Sequence, residues 1–179
     1  MFKRLFGDPT ALQKAVPLAE AVRRRYPSLV IAMPAPDVER ALATWEWLAP
    51  PQASVAFVGA FGDLFFETSD GIVMLDMLEG TVRVVARDQT AFLQAIEDDD
   101  YRDELLGDVW VQAAIRRGLI LGSGECFDWA VSPAIGGKFA AKNLAKTLAV
   151  AKISIAGQLH QQIEDLPPGT PITGFTVSD

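Results

Sequence analysis

One histidine, His160, and one cysteine, Cys126, are the only residues of their kinds in the chain. Together they could form a nucleophile and its base. Such pairs meet in space, and no spacing here favours it. His160 falls beside the apolar stripe of a helical pattern, where a hydrogen-bonded packing role is the simpler expectation. One His and one Cys do not make a structural zinc site, and no metal-ligand spacing is present. The sharpest electrostatic feature is Glu97-Asp98-Asp99-Asp100-Tyr101-Arg102-Asp103-Glu104, in which six of eight residues are acidic. It lacks the central glycine and terminal glutamate of a calcium loop. It reads as a solvated corner whose carboxylates favour the start of the next helix, or as a docking surface for a basic protein built from Glu97, Asp98, Asp99, Asp100, Asp103 and Glu104. Gly122-Ser123-Gly124 lacks the third glycine and the lysine of a phosphate-binding loop and reads as a turn joining two strands. Gly136-Gly137 reads as a corner. Lys138, Lys142 and Lys146 would form a basic stripe if helical, but more simply flank an irregular segment. Trp45 and Trp47 read as core. No catalytic residue, metal or cofactor is expected.

The scaffold for these residues is bounded by length and charge. A chain of 179 residues suits one domain, or one domain with a small appended module. It can bury roughly 70% of the surface its unfolded form exposes, so it needs neither disulfide nor metal to hold a core. The net charge of -7 and pI of 4.7 argue against direct nucleic-acid binding, which requires a positive footprint, and against docking on anionic lipid. They are compatible with a basic protein partner. No apolar run reaches membrane-spanning length, and no signal-peptide run follows Met1 to Phe6. The expected location is the cytoplasm.

The periodicity predicts an α+β fold, with an antiparallel meander sheet packed against helices and a small helical module in front. Ala49-Pro50-Pro51-Gln52 marks the boundary between residues 1–51 and 52–179. In the front part, Leu12, Val16, Ala19, Val22 and Tyr26 share one helical face, with a start at Pro9 or a start or kink at Pro17. A second helix is expected after Asp37 as N-cap, with Val38, Ala41, Leu42, Trp45 and Leu48 on one face. Pro27 and Met33 to Pro36 read as loop around a short apolar run. Ser54 to Phe61, Asp63 to Glu67, Gly71 to Asp76 and Thr81 to Ala86 read as strands, with corners at Asp70-Gly71 and Glu79-Gly80. Asp88 is expected to cap a helix carrying Phe92, Leu93 and Ile96. A longer helix is expected over Tyr101 to Arg117, ended by Gly118. Leu119 to Leu121 and Phe127 to Val131 read as strands. The last helix is expected to start at Thr147 as N-cap, to line Leu148, Ala151, Ile155, Leu159, Ile163 and Leu166 along one face, and to stop at Pro167-Pro168-Gly169.

An ordered set of short motifs carries a resemblance. Gly59-Ala60-Phe61-Gly62-Asp63-Leu64-Phe65 is followed by Leu121-Gly122-Ser123-Gly124-Glu125-Cys126-Phe127, Pro133-Ala134-Ile135-Gly136-Gly137 and Asn143. Gly157-Gln158-Leu159-His160-Gln161-Gln162-Ile163 and Asp165-Leu166-Pro167-Pro168-Gly169-Thr170 complete it. From Val55 to Thr170 the set resembles the C-terminal domain of type VI secretion immunity proteins of the Tdi type. Phe6-Gly7, Val16-Pro17, Tyr26 and Trp45 are similar to the GAD-related module that precedes that domain, shortened because Pro50-Pro51 replaces its glycine- and aromatic-rich stretch. The resemblance implies an α+β protein without enzymatic activity. Its partner would be a cognate effector toxin, a nuclease encoded by an adjacent gene. The alternatives are a non-catalytic interaction module with another partner, and an enzyme using Cys126 and His160.

Overall fold

The computed structural model describes residues 16–167, 170, 172 and 174–177. Leu12 and a helix start at Pro9 lie outside the described residues, as do Met1 to Phe6, Gly7 and Pro168-Gly169. Helix α1 (Leu18–Arg25) starts after Pro17, whose extended backbone (ψ 141°) marks the entry, and buries Leu18 and Val22. The short apolar run between Pro27 and Met33, left unassigned by the sequence, is a strand, β1 (Val30–Ile31). Helix α2 (Ala35–Ala43) begins three residues earlier than its sequence suggests. Pro34 is the N-cap and Asp37 lies in the first turn. A proline in the first turn is tolerated because those N–H groups have no partner within the helix.

Four strands then form the expected meander: β2 (Val55–Gly59), β3 (Leu64–Thr68), β4 (Gly71–Asp76) and β5 (Thr81–Ala86). β1 adds to its edge beside β2, so the five-stranded antiparallel sheet includes residues from both sides of Pro50-Pro51. Alternation along the strands serves two cores, because successive side chains point to opposite faces. Val30, Phe57, Phe65, Ile72 and Met74 enter one cluster. Ile31, Val58, Leu64, Phe66, Val73 and Leu75 enter the other. The first face is covered by α1 and by α3 (Gln89–Ala95), which Asp88 caps by accepting from Ala91 N at 2.7 Å. Phe92 of α3 packs edge-on against Phe65.

The helix expected over Tyr101 to Arg117 is two helices, α4 (Asp99–Leu106) and α5 (Asp108–Arg116). Gly107 separates them in the left-handed conformation (φ 62°), which glycine adopts without Cβ strain. Leu119 to Leu121 is not a strand. The second sheet pairs β6 (Glu125–Trp129) with β7 (Leu144–Leu148). Lys146 and Thr147 therefore lie in a strand, and Thr147 sits opposite Cys126. The N-cap of α6 (Ala149–Ile163) is Leu148. Its buried face is formed by Ala149, Ile153, Gly157, Leu159 and His160, whereas Ile155 and Leu148 are exposed. Of the stripe expected of it, Leu159 is buried while Ile155 is exposed.

Helices α2 and α6 cross at Gly157. A Cβ there would stand 2.5 Å from Thr44 Oγ1 and 2.7 Å from the Thr44 carbonyl oxygen. Beside this crossing the Trp45 indole N–H donates to the Ile153 carbonyl at 2.9 Å. The close backbone approach makes Gly157→Ala destabilising, although alanine is the better helix former by about 1 kcal/mol. Overpacking of about 1–3 kcal/mol outweighs that gain, so chemical denaturation should show a net loss of stability. An unchanged or raised midpoint would mean that the two helices do not need this contact.

Candidate functional site

A cavity of about 480 Å³ opens between the β2–β3 loop, the end of β4, the α4–α5 joint, β6 and one side of α6. Its α6 wall includes Lys152, Ile155 and Leu159. The apolar stripe read from the sequence therefore faces a hollow as well as the core. Phe61, Trp110, Trp129 and Phe139 supply an aromatic wall. Trp129 stacks near Phe61 (centroids 5.9 Å) and meets Trp110 and Phe139 edge-on at 5.0 and 5.2 Å. Offset and edge-to-face contacts of this kind hold rings in fixed orientations.

The polar lining is dominated by carboxylates. Asp63, Asp76, Asp103, Glu104 and Asp128 line the cavity, against the single ammonium of Lys152. Asp63 accepts from Met77 N at 2.9 Å, and Asp76 accepts from Leu78 N and Glu79 N, both at 2.9 Å. Burial, and then the charge of Asp76, push the Asp63 carboxyl up to about 6, against the smaller opposing pull of Met77 N–H and Lys152. Lys152 is committed elsewhere. Its Nζ is 3.1 Å from Asp128 Oδ1, donates to the Phe127 carbonyl at 3.0 Å and lies over the Phe61 ring at 5.1 Å.

The motif segments position this lining. In the β2–β3 hairpin, Gly59 N donates to the Asp63 carbonyl at 2.8 Å, which fixes Phe61 and Asp63 in one tight loop. Phe127 N donates to the Ala60 carbonyl at 2.8 Å and docks β6 on that loop. Asn143 clamps the segment before it. Its amide donates to the carbonyls of Val131 (2.8 Å) and Lys138 (3.0 Å), while its oxygen accepts from Val131 N (3.0 Å). This holds the turn at Pro133 to Gly137 and presents Phe139 to the cavity. Gly122-Ser123-Gly124 leads from α5 into β6 and is closed by Glu125, which accepts from Gly122 N at 2.6 Å. The same carboxylate bonds Lys146 at 2.7 Å, and these two contacts lower its pKa.

The acidic run is largely engaged within the protein. Asp98 caps α4 by accepting from Tyr101 N, and Asp103 accepts from Val109 N across the Gly107 joint. Asp99 pairs with Arg102, which also pairs with Asp108 and lies over the Tyr26 ring. Glu97 pairs with Arg25 and Glu104 with Arg83. Asp100 is exposed. The run is split: Glu97 to Asp100 lie on the outside, while Asp103 and Glu104 reach the cavity.

The structure does not arrange Cys126 and His160 as a nucleophile and base. Cys126 is fully buried, and that burial pushes its thiol up to about 12, leaving no thiolate at neutral pH. His160 is a buried packing residue. Its Nε2 lies 3.2 Å from the Met77 carbonyl oxygen, and its ring packs against Trp45. Trp45 is itself fully buried. Among the described residues, no group of three His, Cys, Asp or Glu side chains could hold a metal ion, and no helix is long and apolar enough to cross a membrane. Sequence reasoning missed Asp63, Asp76, Asp128, Trp110 and Trp129 as members of one site, because they come from four separate elements.

These features define an α+β protein with an acidic, aromatic-walled cavity. Residues 86–160 match the family described as T6SS immunity protein Tdi1, C-terminal. This stretch, from the last residue of β5 to His160 of α6, is what the chain shares with that type VI secretion immunity family. The match is narrower than the Val55 to Thr170 resemblance and does not reach the segment before Ala86. The searches of curated proteins and of solved structures returned no match.

Asp63 makes stability depend on pH with a defined sign. Its folded-state pKa is raised, so the stability it contributes is fully present below about 4 and is lost as pH rises through about 6. Asp63→Asn retains an acceptor for Met77 N and removes the charge. The variant should be more stable than the parent at pH 8, by on the order of 1–3 kcal/mol, and nearly equal at pH 3.5. Melting curves at the two pH values test this, and equal differences at both would refute the assignment.

Proposed function

We propose that this protein binds and neutralises a cognate type VI-secreted nuclease toxin encoded by an adjacent gene, and that it does so by occlusion, without catalysis of its own. The observation that carries the reading is the family match over residues 86–160. The charge of the protein supports the nuclease class. A DNA-cutting site gathers basic residues to hold phosphate, and a carboxylate-rich protein surface is complementary to it. With a net charge of -7, encounter with such a toxin would be electrostatically steered.

The docking surface proposed here runs along Glu97, Asp98, Asp99, Asp100, Asp103 and Glu104. Pairing of five of these carboxylates with protein groups orders the segment and leaves its field facing outward around Asp99 and Asp100. Co-expression of the adjacent gene's product should arrest cells lacking this protein. Restoring it should rescue growth and yield a complex that co-purifies. Asp99→Lys with Asp100→Lys should slow association about tenfold at low salt, with the difference shrinking as salt rises. Failure of the wild-type protein either to rescue or to co-purify would end the reading.

A further inference from the structure

Resting on that reading, we propose that the cavity is the receptor for one basic side chain, an arginine or lysine presented by the toxin. The cavity lining carries five carboxylates and one ammonium, and that ammonium is already held by Asp128 and the Phe127 carbonyl. Glu104 is paired with Arg83 and Asp128 with Lys152, so a cation entering the cavity would find Asp63, Asp76 and Asp103 as the lining carboxylates outside these ion pairs. Its walls are π-faces and edges of Phe61, Trp110, Trp129 and Phe139, and aromatic faces attract guanidinium and ammonium groups most strongly where water is excluded. An anion would meet uncompensated negative charge. A neutral apolar ligand would leave the carboxylates desolvated and unpaired. The size of about 480 Å³ accommodates a long side chain with some water.

Three further observations point the same way. Asp103 and Glu104 connect the acidic run to the cavity mouth, so a basic segment captured on the outside is led inward. An adjoining hollow of about 560 Å³ shares Leu78, Phe139 and His160 with the cavity. Trp47 lines that hollow, and its Nε1 is a buried donor without an acceptor among the described residues. A peptide segment lying along the hollow can supply a carbonyl to it. Finally, Asp63 retains a carboxylate that is held at a cost when the cavity is empty. A bound cation removes that cost, as expected of a residue placed for binding and not for folding.

The test uses the full-length protein and purified toxin, with affinity measured by titration calorimetry. Asp63→Asn removes charge without changing shape. Phe139→Ala removes an exposed ring. Ile155→Lys places an ammonium at the partly exposed cavity wall, where it can occupy the site. Asp63→Asn and Ile155→Lys are expected to weaken toxin binding at least tenfold, and Phe139→Ala three- to tenfold, with melting temperatures at or above that of the parent for Asp63→Asn. Arginine amide is expected to quench tryptophan fluorescence of the parent in the millimolar range and to compete with the toxin. It should do neither with Ile155→Lys, and citrulline amide, which keeps the α-amine but carries a neutral side chain, should do neither with any form. Tight toxin binding that all three variants retain within twofold overturns the proposal and leaves the immunity reading standing. So does binding that is lost only when Asp99 and Asp100 are reversed. Absence of toxin binding by the wild-type protein overturns both.

Discussion

The structure depends on burial of both faces of the central strands. Leu64, Phe65 and Phe66 of β3 and Ile72, Val73, Met74 and Leu75 of β4 are all buried, but alternate residues belong to different clusters. Each such side chain stabilises the fold by about 1.5–3 kcal/mol through its removal from water. Because the strand period is two, both clusters are filled only if helices cover both sides. Phe65 can pack on Phe57 and Phe92 only while its neighbours Leu64 and Phe66 pack on the opposite side. A one-residue slip of register would exchange the two sets. This requirement recruits α1 and α3 to one face, and α2 and α6 to the other. It also explains why Val30–Ile31 joins the sheet: its two residues contribute one side chain to each cluster.

The cavity follows from how the remaining elements close this three-layer arrangement. The β6–β7 pair cannot extend the main sheet. It is fastened to the β2–β3 loop by the Phe127–Ala60 hydrogen bond and is held from the far side by Arg117, which donates to the carbonyls of Ala141 and Leu144. Gly107 bends the α4–α5 unit so that Trp110 meets Trp129. The Asn143 clamp brings Phe139 to the same tryptophan. Three elements therefore converge on one ring without filling the space in front of it, and α6 turns Ile155 and Lys152 into that space.

Much of the scaffold was legible because its signals are local. The meander, its glycine corners and the Asp88 cap follow from period-two alternation, left-handed turns and a short polar side chain ahead of an apolar helix. The errors share a different cause. Gly107 sits within an otherwise helical pattern, and only the geometry of Asp103 capping Val109 shows that the chain restarts there. Thr147 is a plausible cap in isolation, yet its pairing opposite Cys126 makes it strand, a long-range fact. The apolar face of α6 was read as a single core stripe, because sequence does not distinguish a residue facing packed atoms from one facing a cavity. The site was the least legible part. Asp63 and Asp76 are separated by an entire strand and hairpin, and only the register of β3 on β4 brings their ends together.

Asp63 and Asp76 also show why the site can be separated from the fold. The three backbone N–H groups of Met77, Leu78 and Glu79 that these carboxylates satisfy could be satisfied equally by neutral amides or hydroxyls, so folding needs their oxygens and not their charge. Two like charges at one end of the β3–β4 pair are unfavourable in a partly buried place, and the nearby cation, Lys152, offsets this only partly because it serves Asp128. A fold selected for stability alone would neutralise one of them. The charge is retained where the aromatic wall also opens to solvent, so an electrostatic cost and an accessible surface fall on the same few residues. The proposal of a cation receptor rests on that coincidence, which the buried Cys126 and His160 do not share.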